Sequence, residues 1–185
     1  MDPAGYRQYV AICSRKGRKP DALIAKFAAR YRFAGQLQSI EIHQLSPGNR
    51  DAYLEVLRLS LAYSAFEILV KVRDLQGSAS LKSLDLAETY RSARLSKFHF
   101  FLLDSTRGNA LQRQLDGLHQ SQHDSNVLPV VAATRHLMFH GLLNPSAAGL
   151  GSKSARAFLE LLTFALFREM DQQMMAHLSE FRAQL

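Results

Sequence analysis

The last thirty-odd residues constrain this chain more than any other stretch. Phe158, Leu161, Leu162, Ala165, Met170, Met174, Leu178 and Phe181 recur at the spacing of one helix face, and Ser152 or Ser154 stands where a side chain caps a first turn. A helix from there to about Leu185 is roughly 45 Å long at 1.5 Å per residue. So long an apolar stripe must be covered by other elements. No segment alternates convincingly with period two, so the cover is helical rather than a sheet. With 185 residues, the chain can bury one good core and is short for two domains. The expectation is a single all-α domain over residues 1–185, a helical bundle of five to seven helices.

The remaining segments divide at turn chemistry. Tyr6, Tyr9, Val10 and Cys13 form a weakly amphipathic piece that runs into Ser14-Arg15-Lys16-Gly17-Arg18-Lys19-Pro20. Four cations within seven residues, broken by glycine and ended by proline, make a loop. Two readings stand for residues 1–20: a solvated linker, or a basic, flexible arm in which Arg15, Lys16, Arg18 and Lys19 touch phosphates. Asp21 is a candidate N-cap for a helix carrying Leu23, Ile24, Phe27, Ala28, Tyr31, Ala34 and Leu37, with Leu45 at continuing helical spacing. Ser46-Pro47-Gly48-Asn49 reads as the turn that ends it.

A helix over about 50–75 follows, apolar over most of its circumference between Leu54 and Val72. Its one polar stripe, Ser60, Ser64, Glu67, Lys71 and Asp74, advances by four, three, four and three residues and so shares a face. That stripe is either a solvated edge with a Glu67–Lys71 pair contributing a few tenths of a kcal/mol, or a face turned to a site, with Glu67 holding an arginine or histidine. Residues 77–80 break the chain. The spacing of Leu84, Ala87, Tyr90, Arg94, Leu95, Phe98, Phe101 and Leu102 predicts one helix over 83–103, with its aromatic cluster in the core. A turn at 104–108, a short helix over 109–118 and a polar stretch over 119–126 lead to a helix with Pro129 in its first turn.

Arginine (16) outnumbers lysine (7), the net charge is +7, and Cys13 is the single cysteine. Arginine pairs bidentately with phosphate and stacks on bases, so the surplus leans toward a nucleic acid or another polyanion. A lone thiol excludes an internal disulfide and a thiolate zinc cluster, which suits a reducing cytoplasm. No apolar run of about 18 residues spans a bilayer and no signal peptide is evident, so no membrane partner is expected.

The chemistry concentrates in Ala132-Ala133-Thr134-Arg135-His136-Leu137-Met138-Phe139-His140-Gly141. Gly141 is suited to close the helix in a left-handed conformation, and His140 falls where unpaired carbonyls favour a protonated imidazole. Other chemistries fit less well. His119 and His123, like His136 and His140, are four apart, yet no glutamate follows the first histidine as in a metallopeptidase, and no Glu-x-x-His occurs. No Gly-x-Ser-x-Gly exists, and no histidine stands near Cys13 in sequence. His43, His99 and His177 read as surface or satisfied core residues. No metal and no cofactor is expected.

Arg135-x4-His140, with His136 directly after the arginine and Gly141 directly after the histidine, resembles the active-site signature of the HEPN superfamily. Arg94-x4-His99 has the same spacing and Arg113-x5-His119 a related one, but only Arg135–His140 closes a helix ahead of a loop and a long last helix, the layout of that superfamily. Glu67-x3-Lys71 is similar to an acidic and basic pair seen in many members. The resemblance implies a HEPN-like helical bundle acting as a metal-independent endoribonuclease, in a homodimer whose two motifs face a shared cleft. Arg135, His140 and His136 would be catalytic, with Glu67 and Lys71 supporting. A toxin or defence role, with a cognate antitoxin or regulatory protein, would be in keeping. On an ideal helix five residues turn through 500°, leaving Arg135 and His140 about 140° apart, so a second copy or a distorted last turn is needed to converge them. The rival is a non-catalytic helical scaffold that binds a nucleotide, nucleic acid or protein.

Overall fold

The computed structural model describes residues 1–43, 45–75, 79–81, 86, 88–90, 96–106, 110–120, 126–144 and 146–185. The chain is all-α. Its helices are α1 (Tyr6–Arg15), α2 (Ala22–Gln36), α3 (Pro47–Val72), α4 (Lys97–Ser105), α5 (Ala110–Gln120), α6 (Leu128–Phe139) and α7 (Lys153–Ala183). Leu86 and residues 88–90 are helical as well, and no strand occurs among the described residues. No described helix is long and apolar enough to cross a membrane. Leu84, Arg94, Leu95, His123 and parts of the expected breaks at 77–80 and 104–108 lie outside the described residues.

The residues cluster into two compact units: Met1–Leu37 with Leu61–Ala79 and Phe164–Leu185, and Gln38–Ser60 with Ser80–Thr163. In the first, α2 buries Ile24, Phe27, Ala28, Tyr31 and Ala34, the apolar stripe read from its spacing. Ile24, Phe27 and Tyr31 are fully buried, each worth roughly 1.5–3 kcal/mol of apolar transfer. Asp21 caps α2 by accepting from the backbone N–H groups of Leu23 and Ile24 at 2.8 and 3.1 Å. Tyr31 stands edge-on to Phe167, ring centroids 4.7 Å apart, and its hydroxyl donates to Asp171 Oδ1 at 2.9 Å. That same oxygen accepts from the Ala4 N–H at 2.8 Å, tying down the N-terminal residues. α1 buries Tyr9 and Cys13.

In the second unit α4, α5 and α6 pack on one another. Two local readings are corrected there. Ser46-Pro47-Gly48-Asn49 begins α3 instead of forming a free turn: Ser46 O accepts from the Asn49 and Arg50 N–H groups, both at 3.0 Å, and Pro47 is the first helical residue. Proline is suited to that place because the N–H it lacks would find no partner in a first turn. The single helix over 83–103 is interrupted at Ser96, which is extended (ψ 154°) and caps α4 by accepting from the His99 N–H at 3.2 Å. In the first unit α2 stops at Gln36, so Leu45 lies beyond it, and α3 stops at Val72 because Asp74 takes a left-handed φ of 51°.

One closing device recurs. After α6, the Leu142 N–H bonds Leu137 O at 2.9 Å and the Gly141 N–H bonds Met138 O at 3.2 Å. After α1, Arg18 bonds Cys13 O at 2.9 Å and Gly17 bonds Ser14 O at 3.0 Å in the same pattern. In each the glycine is left-handed, φ 67° at Gly141 and 64° at Gly17, as this double-bonded helix end requires.

Candidate functional site

α6 is held by one face and offers the other. Val130, Val131, Ala133, Thr134 and Leu137 are buried, and the Thr134 hydroxyl donates back to Val130 O at 2.7 Å. Arg135 and His136 are half-buried, while Phe139 and His140 are exposed. These four fall together on the less buried side because 135 and 139, like 136 and 140, are one turn apart.

The side chains pair along those turns. The Arg135 guanidinium carbon lies 5.2 Å from the centre of the Phe139 ring, within cation–π range. The His136 and His140 rings have centroids 4.4 Å apart, tilted by 51°. Burial, then the charge of His140, then that of Arg135 holds the His136 imidazole below its ordinary protonation range. His136 therefore sits within the field of both other groups.

His140 does not continue the helix. It is the C-cap, with φ −88° and ψ 5°, ahead of the left-handed Gly141. The last carbonyls of α6 face this end, where a helix carries partial negative charge. A guanidinium for a phosphate and two imidazoles for proton transfer is a chemically sufficient set for phosphodiester work.

The other expected residues belong to other helices or their ends. Arg15, Lys16, Arg18 and Lys19 are all exposed around the closed end of α1, in the first unit. Glu67 is half-buried and Lys71 exposed on the last turns of α3, also in the first unit, whereas Arg135, His136 and His140 belong to the second. Farther back on the stripe of α3, Ser60 and Ser64 are buried, so that face passes from core to surface along the helix. Among the described residues, no three of His, Cys, Asp or Glu gather closely enough to hold a metal ion.

Two features went unread in the sequence. Phe139 as the support of Arg135 was visible as an i, i+4 pair. The contact of His99 with His119 was not, because it joins two helices. Compared with known proteins, the chain matches no family model, no curated protein and no solved structure.

Proposed function

We propose that this chain is a metal-independent endoribonuclease of HEPN type. The carrying observation is the grouping at the end of α6: an exposed His140 against His136, with the charge of Arg135, the preceding residue, acting on His136. RNA supplies its own nucleophile. When a base removes the 2′-hydroxyl proton, that oxygen attacks the adjacent phosphorus, the bond to the 5′-oxygen breaks, and an acid protonates the leaving oxygen. The products are a 2′,3′-cyclic phosphate and a 5′-hydroxyl. His140 serves as general acid/base, His136 orients the phosphate and supplies the second imidazole, and Arg135 offsets the charge that develops on the phosphate oxygens. The exposed cations Arg15, Lys16, Arg18 and Lys19 attract the RNA backbone. A homodimer, a cognate antitoxin or regulatory protein and a cytoplasmic toxin or defence setting complete the reading.

The test is cleavage of a panel of RNAs in excess chelator by the wild type and by Arg135→Ala and His140→Ala. The reading stands if the wild type leaves cyclic phosphate ends and both variants lose cleavage while their circular dichroism is unchanged. It falls if the wild type leaves varied RNAs intact. One observation favours a second reading, a protein-binding scaffold: Phe139 and Leu142, flanking His140, are each 55% exposed.

A further inference from the structure

His99 of α4 and His119 of α5 face each other inside the second unit. Nδ1 of His119 and Nε2 of His99 are 3.1 Å apart, so one ring donates its proton to the other, and the rings are near parallel with centroids 5.0 Å apart. His99 is 3% exposed, and among the described residues its Nδ1 is buried without a hydrogen-bond partner. Tyr90 meets the His99 ring edge-on at 5.5 Å, and Phe100 meets both imidazoles. Nothing in the proposed ribonuclease chemistry uses this pair.

We propose that the His99–His119 pair is an acid-released clasp between α4 and α5. A single N–H···N bond needs one donor and one acceptor, so it holds while His99 is neutral. Protonating His99 as well as His119 turns both nitrogens into donors and sets two cations about 3 Å apart in a site with little water. The bond then becomes a repulsion, and α5 separates from α4.

Among the described residues, the charges acting on His99 come from α5: His119 opposes its protonation and Asp116 favours it. None comes from α6, whose titratable side chains are Arg135 and His136, and Tyr90 is the titratable group facing it from the 88–90 segment. Burial first, then His119, lowers the His99 pKa to about 4, well below that of an imidazole freed into water. Opening is therefore linked to proton uptake, and acid drives it.

Amide hydrogen exchange of the full chain between pH 7.5 and 5 tests the clasp, with rates corrected for intrinsic exchange. The expected result is a loss of protection in α4 and α5 of roughly 30-fold, set by an open-state imidazole value near 6.5 against the lowered closed-state value, while α2 keeps its protection. Protection in α4 and α5 that is flat across this range overturns the proposal, as does equal loss in α2, which would mark global unfolding. Proton resonances of the His99 ring give a second readout independent of any variant: His99 must titrate well below the ordinary imidazole range. A His99 that titrates within or above that range refutes the proposal.

Discussion

Among the described residues of the second unit two pairs of imidazoles are in contact, and they differ in one respect that decides what each can do. His136 and His140 belong to one helix end, four residues apart, with water at hand. His99 and His119 belong to two helices, with one ring sealed and bonded to the other. The first pair stands open to a ligand; in the second, the buried ring, His99, meets water only by opening. Imidazole chemistry is thus assigned by access and by which backbone carries the rings.

The largest expected effect concerns the open pair. His140→Ala should lower RNA cleavage about 10²- to 10⁴-fold, or roughly 3–5 kcal/mol of barrier, measured as single-turnover rate. His99→Phe should leave that rate within a few-fold, and comparable losses in both would erase the contrast. Next comes acid stability. His99 binds its proton less well folded than unfolded, so its contribution is fully present above about pH 6.5 and is lost as pH falls toward about 4. The loss should be on the order of 3 kcal/mol in urea titrations, and His99→Phe should flatten it.

Smaller changes sharpen the comparison further. Gly141→Ala meets no atom within 4 Å, so its cost is the left-handed φ alone, about 1–2 kcal/mol in thermal melts, with a loss of activity as His140 shifts. Ser96→Ala removes the cap of α4 at about 1 kcal/mol and should weaken the clasp side without changing cleavage at pH 7.5. The mildest effect is on the pH profile. A limb set by His136 should lie below the ordinary imidazole value, because burial and the charges of His140 and Arg135 hold it there, and His136→Gln should remove that limb. A profile unchanged by that substitution would count against a proton-handling role for His136.

What the sequence disclosed was local. Asp21 before an apolar stripe announced the start of α2, and a glycine after His140 announced the end of α6, because caps are built from neighbours in the chain. Ser46-Pro47-Gly48-Asn49 misled because the same residues serve a turn and a first helical turn, and only the continuation into α3 decides. The break at Ser96 was hidden because Tyr90, Phe98 and Leu102 keep helical spacing across it while all three are buried. At the candidate site, the positions of Arg135, His136 and His140 at a helix end could be read directly. Glu67 and Lys71 could be placed on a helix but not assigned to a unit, since that depends on packing between distant segments.

The only sulfhydryl offers a separate handle on the molecule. Cys13 is 1% exposed on α1, and its helix is moored by the Asp21 N–H bond to the Tyr9 hydroxyl at 3.1 Å and by the Tyr9 ring against Phe181. An alkylating reagent can reach that sulfur only when α1 lifts away, so the rate of labelling at a single atom clocks the peeling of the first helix without any engineered probe.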